Sequence, residues 1–453
     1  MLFTEKTQKI LEFDKIKHML AEHCSTEGAK AKALALFPTD DYDTVTQRQT
    51  KTADAKRLVN AKGFPSFSAP DSVVGAADRA YKGAVLSPKE LLDIASILRS
   101  ARGVLDYINT DKPFDTSLDE IFRRMLVNRE LEEKITRSII SEELIADEAS
   151  PALADIRRKI RVTNNKIKDT LQSFIGGNRL KYLQENIVTM RNGRYVVPVK
   201  AEHRNELKGL VHDTSASGAT LFVEPMSVVE ANNELKTLAA EEEHEIERIL
   251  MALSAECGNF SSSISLNYHN ITELSFVFAC ASLAMEMKAE SPEVAKSRIV
   301  DIKRARHPLI PRDKVVPIDV AVGEENDTLI ITGPNTGGKT VTLKTVGLLA
   351  VMAQSGLQIP ALESSRVGIF DSVLADIGDE QSIEASLSTF SSHMVNVVDI
   401  LSKIGKGSLV LFDELGSGTD PVEGAALATA ILEKTQSLGA LALATPHYSE
   451  LKV

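Results

Sequence analysis

Tryptophan is absent from the 453 residues, and Phe and Tyr bring the aromatic share only to 5%. So lean an aromatic content suits a helix-rich chain. Cysteine is almost as scarce. Cys24, Cys257 and Cys280 lack metal-ligand spacing and are too few for a disulfide framework, so they read as small apolar residues of a protein kept in a reducing compartment. No uninterrupted apolar run approaches the ~20 residues of a membrane span. The opening Met1-Leu2-Phe3-Thr4-Glu5-Lys6 has no basic-then-apolar signal pattern. The expectation is a cytoplasmic protein with no membrane partner. Excess positive charge is missing too: the net charge is −11, which argues against a uniformly basic nucleic-acid binder.

What the chain does have is Gly333-Pro334-Asn335-Thr336-Gly337-Gly338-Lys339-Thr340. Two glycines spaced by four residues, then Lys and Thr, form the phosphate-loop pattern. Thr328–Thr332 before it reads as a buried β-strand, and 341–350 after it as a helix. Backbone N–H groups and a helix N-terminus would then cradle phosphate oxygens. Lys339 would reach the β- and γ-phosphates of ATP, and Thr340 would hold Mg²⁺. A second motif, Ser408 to Glu414, has four apolar residues followed by two acids. Asp413 at a strand end is a second Mg²⁺ ligand, and Glu414 is placed to polarise the attacking water. A further short strand, Leu441–Thr445, delivers His447 just past Pro446, where it can hydrogen-bond a phosphate or the water.

These segments, with Ser386 to Met394 (SLSTFSSHM), Asp413 to Pro421 (DELGSGTDP), TPHYSEL and Arg306-His307-Pro308, resemble the ATPase of MutS-type proteins in the ABC superfamily. Tyr195–Lys200 and His212–Phe222 resemble the short second class of MutS proteins, so the resemblance covers the whole chain. It implies an ATP site shared by a homodimer, with Ser386 and Ser388 as a signature acting on the partner's nucleotide. Ser388 or Thr389 can equally be a plain helix cap. Gln381 would sense the γ-phosphate or Mg²⁺, and Val316 and Ile318 would pack on adenine. The 332 residues ahead of Gly333 are too few for the mismatch-reading and connector domains of mismatch-repair MutS. Up to Val453 there is no Smr nuclease region, so endonuclease activity is not expected of these residues.

The expected fold is multidomain. An α-helical core (1–120) leads into ascending lever helices (121–177), a β-rich clamp (178–224), descending lever and return helices (225–295), and an α/β P-loop, ABC-type ATPase domain (296–453). Several local signals enter that reading: helical stretches over 7–23, 88–109, 118–148, 151–175 and 272–286, short β runs near 187–190, 195–199 and 220–223, and a hairpin at Asn192-Gly193. From Arg157 to Lys208, thirteen Lys or Arg stand against four Asp or Glu, a local balance of +9 that leaves −20 for the rest. This is either a basic working surface or a solvated helix face. On the first reading Arg191, Arg194 and Lys200 are exposed contacts to nucleic-acid phosphate. Tyr182 and Tyr195 either stack on bases or pack in a core. The function expected is an ATP-dependent clamp on branched or double-stranded DNA or on the ribosome and its rRNA, acting in recombination suppression or rescue of collided ribosomes. The alternatives are a nucleotide-binding interaction module with little hydrolysis, and a mismatch-repair MutS protein.

Overall fold

The structure is a computed structural model that describes residues 4–109, 115–334, 337–378 and 389–446. It contains a helical core with several small sheets, divided into two compact units. The first holds the chain up to Asp71, Ser100–Leu126 and the part from Leu266 on; the second holds Ser72–Arg99 and Val127–Ser265.

In the first unit a parallel four-stranded sheet runs in the order Thr328–Ile330, Leu441–Pro446, Ser408–Leu415, Ser372–Asp376. The strand Ser408–Leu415 is apolar on both faces because both faces are covered. Leu409 and Leu411 enter a core with Leu343 and Val346 of the helix Lys339–Gln354 and with Leu11 and Phe13 near the N-terminus. Val410 and Phe412 point the other way, against Val397 and Ile400 of the helix Thr389–Lys403 and Ile431 of the helix Pro421–Ser437. A second, mixed sheet has the order Glu293–Ala295, Arg366–Gly368, Val300–Ala305, Ile318–Val322.

The second unit pairs the helices Pro151–Ile175 and Val229–Asn259. Arg157 meets Glu242, while Ile167 and Leu171 share a cluster with Leu235 and Val228, so the two helices run antiparallel. The same cluster includes Val197, Val199 and Val223 of an antiparallel sheet ordered Thr189–Arg191, Arg194–Lys200, Thr220–Pro225, Gly209–Thr214. Asn192 (φ 52°) and Gly193 (φ 73°) make the expected tight turn. Ser150 caps the helix that begins at Pro151, with Leu153 N donating to its Oγ at 3.0 Å.

Three local expectations are corrected, over 118–148, over 7–23 and at Thr328–Ile330. The stretch 118–148 is not one helical run: helices Asp119–Arg123 and Arg129–Ser138 are followed by a hairpin of Ile139–Ser141 and Leu144–Ile145. β-branched isoleucines on both sides of a polar turn explain the change. The stretch 7–23 breaks at Leu11–Glu12, where Glu12 adopts φ 61° between Glu5–Ile10 and Phe13–Glu22. The helix expected over 272–286 is present and begins earlier, spanning Ser261–Met287. Thr328–Ile330 stands at the end of its sheet and leaves Ile330 37% exposed, so this strand is not fully buried. The strand Gly209–Thr214 has no counterpart among the expected elements.

Candidate nucleotide site and basic surface

The phosphate loop lies between the edge strand Thr328–Ile330 and the helix Lys339–Gln354. Gly338 takes φ 80° as that helix's N-cap, and Gly333 takes φ 149°. Among the described residues a Cβ at either would meet nothing within 4 Å, so glycine is required there by the backbone angle and not by crowding. Lys339, the first helical residue, is buried. Thr340 Oγ1 donates to Asp413 Oδ2 at 2.6 Å. The other oxygen, Asp413 Oδ1, accepts from Thr445 Oγ1 at 2.5 Å, and Thr445 Oγ1 in turn accepts from the Glu414 N–H at 2.8 Å. Asp413 and Thr445 are buried, and Glu414 is half-buried with φ 46°. The two acids lie in the C-terminal part of the strand Ser408–Leu415, where its pairing with Leu441–Pro446 shifts register between Phe412 and Leu415. A hydroxyl and a carboxylate in contact at the start of the loop helix form an oxygen pair of the kind Mg²⁺ takes with a nucleotide's phosphates.

Neighbouring groups fix this frame. Asp376, buried at the end of Ser372–Asp376, meets His393 Nδ1 at 3.0 Å and accepts from Asn396 Nδ2 at 2.7 Å. His307 is buried, and its Nδ1 accepts from Leu309 N at 3.3 Å. Burial lowers its pKa; Glu12 pulls it back up, and Lys344 and Lys15 add to the lowering. Lys344, on the loop helix, lies 3.7 Å from Glu12. Of the two adenine candidates, Val316 is 77% exposed, whereas Ile318 turns against the main core. Val316 therefore offers more free apolar surface than the half-buried Ile318.

In the second unit the three basic candidates differ. Arg191 stacks over Phe222, 4.1 Å from the ring centroid, and its Nε lies 3.3 Å from Asp213. Lys200 is half-buried at the end of its strand. Arg194 is not the exposed contact expected. Its Nη1 donates to both oxygens of Glu224, at 2.8 and 3.0 Å, and its Nη2 donates to Asn233 at 2.5 Å. Glu224 is fully buried and also contacts His212 Nε2 at 2.5 Å and Asn232 Nδ2 at 2.8 Å. A buried carboxylate needs such partners, so this arginine is structural. Tyr182 and Tyr195 pack against the sheet's core cluster. Lys166, Lys168, Arg179, Lys181, Arg204 and Lys208 are exposed. Among the described residues no helix is long and apolar enough to cross a membrane.

Residues 329–453 match MutS domain V. Over 452 residues, 99% of this chain, the sequence is 48% identical to endonuclease MutS2 of Ruminiclostridium cellulolyticum. It is 49% identical over 450 residues to endonuclease MutS2 of Caldanaerobacter subterraneus subsp. tengcongensis, and 48% over 450 residues to that of Clostridium botulinum. The chain is MutS2-like. It spans 57% of the length of each of these relatives.

Asn335, Thr336, Gln381, Ser386, Ser388 and His447 lie outside the described residues. Thr445 and the trio Asp376, His393 and Asn396 escaped the sequence reading. His393 and Asn396, three residues apart on one helix face, were the available signal for the trio.

Proposed function

We propose that this chain binds ATP with Mg²⁺ at the loop Gly333–Thr340 and hydrolyses it in a homodimer, using nucleotide binding to control its grip on nucleic acid. The observation that carries the reading is the 2.6 Å contact between Thr340 and Asp413. Thr340 and Asp413 would hold Mg²⁺, which when bound neutralises phosphate charge. Lys339 and the loop's backbone N–H groups would bind the phosphates. Glu414 would orient and deprotonate the attacking water, its backbone fixed by Thr445. His447 would contact the γ-phosphate or the water. Ser386 and Ser388 would complete the partner's site, and Gln381 would sense the γ-phosphate.

The second unit would be the gripping part. Its paired long helices would act as levers, and its antiparallel sheet with the neighbouring basic residues as the clamp on branched or double-stranded DNA, or on ribosomal RNA. Recombination suppression and rescue of collided ribosomes are the roles that follow. No endonuclease chemistry is assigned to this site, whose residues would serve phosphate, Mg²⁺ and water.

The test is ATP turnover with Mg²⁺. Glu414→Gln should retain nucleotide affinity and lose turnover by roughly 10²–10⁴-fold, while Lys339→Ala should lose affinity itself. Wild-type turnover in Glu414→Gln would refute the assignment. For the clamp, Lys166, Lys168 and Arg204 replaced by Glu should weaken binding to branched DNA or purified ribosomes. The salt slope should fall by roughly 0.7–0.9 per lost contact.

A further inference from the structure

A cavity of about 400 Å³ opens in the first unit at the end of the loop helix remote from Lys339. Ser355 and Gly356, the residues that follow that helix, form part of its wall. Its lining includes the apolar side chains of Leu36, Phe276 and Val277, the first and last of them buried. The lining also carries the cations Lys32, Arg48 and Lys51 and one carboxylate, Glu273. Lys32 pairs with Glu273, and Lys51 lies 3.5 Å from it. Arg48 has no carboxylate partner among the described residues; its Nη1 donates to the Phe37 carbonyl at 3.3 Å. Its stem is fixed by close packing, since a Cβ on Gly356 would fall 2.3 Å from Arg48 Cβ, and Gly356 holds φ 87°.

A chamber within the usual ~300–1,000 Å³ of ligand pockets, lined by apolar side chains, three cations and one anion, selects for a particular chemistry. The ligand must place an apolar body against the apolar side chains and an anionic group against the cations. A neutral apolar molecule would leave the guanidinium without a counter-charge, and a free inorganic anion would leave the chamber unused. We infer that this cavity is a second ligand site, separate from the nucleotide loop, for a small amphipathic carboxylate. The inference does not depend on ATP binding at Lys339.

The cavity has a usable reporter position. Cys24, Cys257 and Cys280 are buried, and burial raises all three thiol pKa values, to about 11 for Cys24 and about 12 for Cys257. Gln47 lines the cavity and is exposed, so in Gln47→Cys the new thiol is the reactive one. The full chain carrying a trifluoromethyl tag there is titrated with 1-naphthoate and with decanoate, an aromatic and an aliphatic carboxylate, followed by fluorine NMR. Their neutral alcohols serve as controls.

A saturable shift is expected with at least one of the two acids, and which acid is preferred distinguishes a ring ligand from a chain ligand. Replacing both Arg48 and Lys51 by Met keeps the stems and should weaken acid binding by about tenfold or more, leaving the alcohols unaffected. Thr44→Trp, in the lining, should block acid and alcohol alike. Circular dichroism verifies the fold of each variant, and the single variant Lys51→Met serves if the double one unfolds. No saturable shift with either acid would overturn the inference, as would a shift that folded charge variants leave unchanged.

Discussion

Arg194 and Glu224 meet diagonally across adjacent antiparallel strands, with one guanidinium nitrogen bonded to both carboxylate oxygens and the carboxylate wholly out of solvent. Removing one member strands a buried charge, at about 3–5 kcal/mol. Arg194→Met should therefore loosen the sheet, and Arg194→Glu should do so more severely. Hydrogen exchange reads this directly: amides of 194–200, 209–214 and 220–225 should exchange faster, while the parallel sheet keeps its protection. Unchanged protection in the antiparallel sheet would show that the pair is not structural.

Thr445→Val keeps the side chain's shape and removes two hydrogen bonds, one to Asp413 and one from the Glu414 N–H. Leaving buried polar groups unpaired costs ~1–3 kcal/mol each. ATP turnover should fall by about tenfold or more with a smaller change in nucleotide affinity, because Thr445 supports the Mg²⁺ ligand Asp413 and the backbone of Glu414 but bonds to no group of the phosphate loop. Thr445→Ser should recover most of the activity. A loss confined to affinity would contradict this division of labour.

Gly347 sits mid-helix, where Ala ordinarily stabilises by ~1 kcal/mol. Here a Cβ would lie 2.4 Å from Leu411 Cδ1 and 2.7 Å from Leu11 Cδ2. Gly347→Ala should instead destabilise by ~1–3 kcal/mol. It should also weaken Mg²⁺-nucleotide binding by pushing the helix that carries Thr340 off the strand that carries Asp413. Leu411→Val should relieve part of the effect in the double variant, which thermal unfolding and nucleotide titration measure.

His307 gives a pH dependence of definite sign. Burial, aided by Lys344 and Lys15 and opposed by Glu12, holds its folded pKa below 6.5. Between the folded value and 6.5 the unfolded chain binds more protons, so stability is present above 6.5 and declines as the pH falls through that window. Melting temperatures between about pH 7.5 and 5.5 should fall less steeply for His307→Gln than for wild type.

The parts legible in the sequence are those whose physics is local. A phosphate loop is a spacing of glycines before Lys339 and Thr340. The helix from Pro151 carries its own start and stop in Ser150 and Gly176. The strand Gly209–Thr214 was illegible because Gly209, His212 and Asp213 are poor strand formers on their own. Its pairing with 220–225 supplies what propensity does not, and a Cβ at Gly209 would lie 2.4 Å from the Glu224 carbonyl oxygen. Arg194 was misread for a related reason: the sequence shows a charge, while its counter-charge stands thirty residues on. Thr445 likewise acquires meaning only when two distant strands lie side by side.

Glu414 holds a backbone angle, φ 46°, that side chains other than glycine, asparagine and aspartate avoid at a cost of roughly 1–2 kcal/mol. At this position the backbone angle by itself would favour a different residue. Glu414→Asn should keep or raise the melting temperature while abolishing turnover. A screen that rewards only thermal robustness would drift toward that substitution and discard the chemistry.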